Sequence, residues 1–182
     1  RVHFSPATPM GDAEIRAHLA EFFTREPAFE GYAVRQQKSF AQAAGATPAL
    51  ELIAGDPVSA PGEIEVEIAE AVVTLTGHVP SLVAKRLAGA MAWWVPGVRD
   101  VVNGLEVTPP EEDSPIAIEE AVRTVLERDP FVDAGQVRVG VRLRTVRLTG
   151  AVRSDALRDM AERDAWCVFG VDEVINNIQV IP

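Results

Sequence analysis

The sequence predicts an α+β fold: two tandem αββαβ sandwiches, each a three-stranded mixed sheet with two helices on one face. Three observations carry that expectation. The string "VTLTGHV" at 73–79 returns as "VRLTGAV" at 146–152. Sliding the sequence by 73 residues aligns 64–107 with 137–180 without a gap, and keeps mainly apolar and glycine positions: Val66/Val139, Val73/Val146, Leu75/Leu148, Gly77/Gly150, Val79/Val152, Trp93/Trp166, Gly97/Gly170, Val101/Val174 and Asn103/Asn176 among them. Retention of core-type positions while polar ones drift is the mark of a duplicated unit. A second register, shifted by 103, matches Ile15, Leu19, Phe22 and Phe23 with Ile118, Val122, Val125 and Leu126, the spacing of one amphipathic helix face.

Each copy starts with that helix, which ends at a proline, in "REP" at 25–27 and "RDP" at 128–130. In the second copy Ser114 caps it and Pro115 takes its first turn. Two strands follow, with Val137, Val139 and Val141 alternating with polar residues, then Val146, Leu148 and Val152. The next helix buries Leu157, Met160, Ala161, Ala165 and Val168, or Ala84, Leu87, Ala88, Ala92 and Val95 in the first copy, and stops at Gly170 or Gly97. The last strand is "VDEVINNIQV" or "VRDVVNGLEV". A strand–helix–strand step is a crossover, so the second and third strands run parallel. Alternation buries one sheet face under both helices and leaves the other free.

The two registers differ by 30 residues, which places an insertion at about 35–62 in the first copy. A loop so long in a small domain is either functional or disordered. Its "ALELIAGDP" suits a short helix or turn, and equally an irregular excursion. The expected organisation is a first domain over 12–107, a linker at 108–114 within the acidic "TPPEEDSP", and a second domain over 115–182.

Composition limits the function classes. The net charge of −10 argues against a nucleic-acid binder, and no apolar run approaches bilayer length. Residues 1–114 carry 8 Lys and Arg against 16 Asp and Glu; residues 115–182 carry 9 Arg against 11 acids. Cys167 is the only cysteine, so no internal disulfide forms, and His3, His18 and His78 give no metal-ligand spacing. No cofactor is expected. The opening "RVHFSPATPM" has no apolar signal region, which keeps a cytoplasmic address open.

"VTLTGHVPS" and "VRLTGAVRS", followed by "VPGVRDVVNGLEV" and "VFGVDEVINNIQV" and each preceded by a helix ending in "EP" or "DP", resemble the BON domain family of bacterial osmotically inducible and nodulation proteins. The resemblance covers nearly the whole chain except residues 1–11 and the insertion. It implies a bacterial envelope or periplasmic setting, attachment to phospholipid or an envelope component, and no enzymatic activity. Two departures stand out. Where relatives often carry a glycine turn between the first two strands, this chain has Ala71 and Arg144. Non-glycine residues disfavour a tight primed turn, so a longer or different hairpin loop is expected. The insertion is the second departure, and it bears on how the first helix packs.

Candidate site residues follow from the free sheet face and the helix edges. In the second copy Arg138, Arg142 and Arg147 point outward, with Arg144 near the turn; the first copy has Glu65 and Glu67, with Glu70 at its turn. The arginines either solvate an exposed sheet, meet anionic phospholipid or another acidic surface, or meet the glutamate face of the other copy, within one chain or between chains as a homo-oligomer. Trp93, Trp94 and Trp166 lie at the ends of the second helices, one step off the core stripe. They pack a helix edge or anchor a lipid or protein partner. The competing class is thus a protein–protein or self-assembly module without a lipid ligand. An enzyme is disfavoured: His78 projects from the free face beside Glu65, and no nucleophile accompanies it. Cys167 takes the place of Trp94 and reads as a filler of apolar space. The recurring Asn103 and Asn176 suit a structural hydrogen bond.

Overall fold

Helix α3 (Pro115–Arg128) shows how each repeat begins. The Ser114 side chain accepts the Ala117 amide at 3.2 Å, and Pro115 occupies the first helical position, where a missing N–H costs nothing. Ile118, Ala121, Val122, Val125 and Leu126 recur every three or four residues and are all buried. Helix α1 (Asp12–Arg25) buries Ile15, Leu19 and Phe23 in the same way. A cap is worth about 1 kcal/mol and a fully buried aliphatic or aromatic side chain about 1.5–3 kcal/mol. Burial therefore holds the helix, and the cap sets where it starts.

The computed structural model describes residues 10–38 and 49–181, and the chain divides between Pro110 and Glu111 into two compact units. Residues 1–9, with His3, and residues 39–48 of the insertion lie outside the described residues. In the second unit β7 (Val137–Arg142) pairs antiparallel with β8 (Thr145–Val152), which pairs parallel with β9 (Glu173–Val180). Helix α4 (Asp155–Cys167) makes the crossover, starting where Ser154 accepts the amide of Leu157. Both helices pack on the face that carries Val146 and Leu148.

The first unit has the same core: β3 (Glu63–Ala69) antiparallel to β4 (Val72–Val79), then α2 (Leu82–Trp94), then β5 (Asp100–Asn103) parallel to β4. The third strand continues as β6 (Glu106–Val107), also parallel to β4. On the other edge the sheet is widened. Strand β1 (Ala33–Gln37) runs parallel to β3, and β2 (Leu50–Ala54) runs antiparallel to β1. The "ALELIAGDP" stretch is therefore neither a helix nor an excursion: its residues 50–54 form an edge strand. Val34 and Gln36 of β1 are buried, and Gln36 Nε2 donates to the Arg16 carbonyl of α1 at 2.8 Å. The inserted strands lengthen the sheet under α1.

The expected longer hairpin loops are also corrected. Ala69 pairs with Val72 and Arg142 with Thr145, so both loops hold two residues. Glu70 and Ala71 have φ of 50° and 61°, and Leu143 has φ of 57°, the left-handed geometry of primed turns. Neighbours supply what glycine would have given. Asp12 accepts the amides of Glu70 and Ala71 at 3.0 and 2.8 Å, and the Ala71 carbonyl accepts the Arg99 amide at 2.8 Å.

The glycine of the repeated "LTG" is fixed by close approach. Gly77 and Gly150 have φ of +111° and +138°. A Cβ there would collide with the carbonyl oxygens of Glu63, at the start of β3, and Gln136, just before β7.

Candidate functional site

Strand alternation sends Arg138 and Arg142 of β7 and Arg147 of β8 to the open face of the second sheet, and all three are exposed. Arg147 pairs with Gly140 and Arg142 with Thr145, which makes Arg142 and Arg147 diagonal neighbours. Among the described residues none of the three has an ion pair. Arg144 differs: it lies within 3.5 Å of Asp113 and 3.9 Å of Asp172. The corresponding face of the first unit carries Glu63, Glu65 and Glu67, with Arg35 paired to Glu63 and Thr76 donating to Glu65 at 3.2 Å.

The tryptophans lie on the helix side of the sheets, opposite the arginine face. Trp93 and Trp94 of α2 are half-buried; Trp166 of α4 is 40% exposed. Trp166 and the arginine face are thus not brought onto one flat surface. At one end of the second unit, contacts around Arg144 bring separate chain segments together. Its link to Asp113 brings the start of α3 to the hairpin turn, and its carbonyl accepts the Asp172 amide at 2.9 Å, which brings the α4–β9 connection there.

That turn end presents four apolar side chains to solvent: Ile116 (77% exposed), Leu143 (75%), Phe169 (55%) and Trp166 (40%). Arg142 and Arg144 stand among them. Exposed large apolar residues grouped at one end, beside arginines and the acids Asp113 and Asp172, make this end a candidate interaction site. The repeat supplies a control. The equivalent positions in the first unit are Ala13, Glu70, Pro96 and Trp93, and those of Arg142 and Arg144 are Ala69 and Ala71. One copy has isoleucine, leucine and phenylalanine with two arginines at its tip; the other has Ala13, Glu70 and Pro96 with two alanines.

The remaining candidates have structural roles or different neighbours. Asn103 donates to the Lys85 carbonyl at 2.7 Å and Asn176 to the Arg158 carbonyl at 3.0 Å, each tying the last strand to the crossover helix. His78 is opposite Glu63 and Glu106 rather than Glu65. Burial pushes the Cys167 thiol up to about 12, the nearby Asp164 adding to the effect; a thiol so held is not a nucleophile at neutral pH. Burial also raises the Tyr32 phenol. Among the described residues no group of three His, Cys, Asp or Glu is placed to hold a metal ion. No described helix is long and apolar enough to cross a membrane.

Two α+β sandwiches built on an αββαβ core, each with a helix-covered face and an open one, define a tandem repeat protein. The BON domain family model matches residues 50–109 and 117–182, and the chain belongs to that family, with two copies. It is 32% identical over 123 residues to osmotically-inducible protein Y of Escherichia coli (strain K12), covering 64% of this chain and 61% of that protein. The chain therefore spans about three fifths of the length of that relative. Among solved structures, the C-terminal domain of CdsD, a structural protein of the Type III secretion system of Chlamydia trachomatis, aligns over 95% of this chain and 68% of its own, with 12% identity and a TM-score of 0.33. A second structure of CdsD gives the same score and identity over 65% of its length. At that score the likeness says nothing about function or assembly.

Proposed function

We propose that this chain is a non-enzymatic attachment protein of the bacterial envelope, and that the turn end of its second unit rests on an anionic phospholipid surface. The observation that carries the reading is the contrast between the two copies. Ile116, Leu143, Trp166 and Phe169 are exposed around Arg142 and Arg144, while the first copy has Ala13, Glu70, Trp93 and Pro96 around two alanines. The same fold with a different tip points to a role for the tip rather than for the fold.

The magnitudes are adequate. An arginine near an anionic bilayer contributes about 1 kcal/mol, so Arg142 and Arg147, whose charges no carboxylate offsets among the described residues, supply about 2 kcal/mol. Indole and phenyl rings at the headgroup level add apolar burial, at roughly 25 cal/mol per Å² removed from water. The repulsion from the net charge of −10 acts over distance and is screened beyond about 8 Å at physiological salt. We extend the osmotic-stress setting in the relative's name, and a periplasmic or envelope location, to this chain on the strength of the shared family.

Co-sedimentation with anionic and zwitterionic vesicles over a salt series tests the proposal. Binding selective for anionic vesicles, weakened by salt and lost in the double variant Arg142→Glu, Arg147→Glu, is the expected result. Equal binding to both vesicle types, or none to either, overturns it. A second reading is favoured by the complementary open faces, Arg138, Arg142 and Arg147 against Glu63, Glu65 and Glu67: self-assembly between chains. Sedimentation equilibrium would then show a mass that falls as salt rises.

A further inference from the structure

The end of the second unit opposite the tip has a pocket of about 680 Å³, lined by Phe131, Val132, Gln136, Val152, Leu157 and Ile181 among others. The first unit shows what occupies the same place there. Tyr32 stacks edge-to-face on Phe29, with ring centroids 5.3 Å apart, and lies so close to Gly62 that a Cβ on it would come within 2.8 Å of the ring. The counterpart of Phe29 is Val132, which lines the pocket, and that of Gly62 is Gly135, next in sequence to the lining Gln136. From Tyr32 the chain continues directly into β1, which lies parallel on β3 with Val34 opposite Ile64 and Arg35 opposite Glu65.

The second unit lacks both the ring and the strand. Strand β7, the counterpart of β3, pairs only with β8 among the described residues. Its inward residues record the missing neighbour. Val139 and Val141 are half-buried, whereas their counterparts Val66 and Ile68 are fully covered in the first unit. Arg138, the counterpart of Glu65, is exposed.

We infer that the second unit captures an extended partner peptide along β7, as a parallel strand led by an aromatic residue that enters the pocket, with an acidic residue opposite Arg138. The occupant is specified by the first copy. An aromatic ring is followed by a small residue, a β-branched one that covers Val137 and Val139, and then the residue that meets position 138. In the first copy that residue is Arg35 over Glu63 and Glu65; over Arg138 the charge must be reversed. A glutamine next would reach the carbonyl of Glu119, the counterpart of the Arg16 carbonyl that Gln36 engages. Main-chain pairing gives such a complex its affinity, and the ring and charge give it specificity. This inference goes beyond the membrane reading and does not depend on it, since it concerns the other end of the unit.

The test uses the full chain and three synthetic heptapeptides derived from residues 31–37: GYAVEQQ, GYAVRQQ and GAAVEQQ. GYAVEQQ is expected to slow hydrogen exchange at alternate amides of residues 136–139, the counterparts of Glu63–Val66, and GAAVEQQ to bind at least about tenfold more weakly. In the Arg138→Glu variant, whose substitution is on the exposed face, the preference should turn to GYAVRQQ. The inference is overturned if no peptide slows those amides at millimolar concentration, or if Arg138→Glu leaves the preference unchanged. It also falls if the β7 amides are protected by raising the protein concentration alone, which would make a second copy the occupant, or by a short-chain phospholipid but no peptide.

Discussion

The side-chain amide of Asn176 donates to the main-chain carbonyl of Arg158 at 3.0 Å, and Asn103 donates to the Lys85 carbonyl at 2.7 Å in the same place of the other copy. Each asparagine also accepts the amide two residues on, Ile178 at 3.1 Å and Leu105 at 3.4 Å. One polar side chain thus joins the third strand to the crossover helix in both units. Its Nδ2 in the second unit also meets Glu162 Oε2 at 3.0 Å.

Asn176→Ala is expected to lower stability by about 1–3 kcal/mol, because the partners are left in a part-buried place without a donor. Asn176→Asp should cost more, since a carboxylate would face both the Arg158 carbonyl and Glu162. Urea unfolding followed by far-ultraviolet circular dichroism checks the order. An aspartate variant as stable as the parent would refute this account of the repeat.

The Glu70–Ala71 turn holds two non-glycine residues in left-handed conformation, and Asp12 supports them through their amides. Each such residue costs about 1–2 kcal/mol more than glycine would. Glu70→Asn with Ala71→Gly supplies the preferred residues of a primed turn and should stabilise the chain by about 1 kcal/mol. Asp12→Ala should destabilise by a similar amount. Thermal unfolding midpoints that move together in one direction would contradict the assignment.

The same turn shows where sequence reading succeeds and where it stops. Duplication was legible because core positions constrain chemistry: Val73, Leu75 and Val79 return as Val146, Leu148 and Val152 on the buried face. Outward placement of Arg138, Arg142 and Arg147 followed from a period of two. The turn did not, because the amides of Glu70 and Ala71 are held by Asp12, 58 and 59 residues away. Strand β2 is a short apolar run whose character is set by its pairing with β1, and local periodicity cannot separate that from a helix. The apolar tip was missed for a similar reason. Ile116, Leu143, Trp166 and Phe169 come from three separate chain segments, and only folding assembles them.

Cys167 gives a pH dependence with a definite sign. Burial raises the thiol from an ordinary 9.0 to about 12, so between those values the unfolded chain releases a proton that the folded chain keeps. The contribution of Cys167 to stability is full below pH 9 and is lost as pH rises toward about 12. Cys167→Ala should therefore flatten the alkaline decline of the unfolding midpoint. Reaction with a thiol reagent at pH 8 should be slow in buffer and fast in urea; rapid modification of the folded chain would refute the burial argument.

Leu143 separates the tip from the arginine face as the element that meets lipid. Its side chain is 75% exposed at the turn, so Leu143→Asp removes an apolar group without opening the core, and the stability change should stay within about 0.5 kcal/mol. Against anionic vesicles the variant should bind at least tenfold more weakly, because an acid placed between Arg142 and Arg144 both removes apolar burial and offsets their charge. Trp166 reports the same event optically. Its emission should shift to shorter wavelength on binding, and a Trp166→Phe variant should lose most of that shift, leaving the half-buried Trp93 and Trp94 unchanged. If Leu143→Asp binds as the parent does while Arg138→Glu abolishes binding, the open sheet face is the contact surface and the turn end is not.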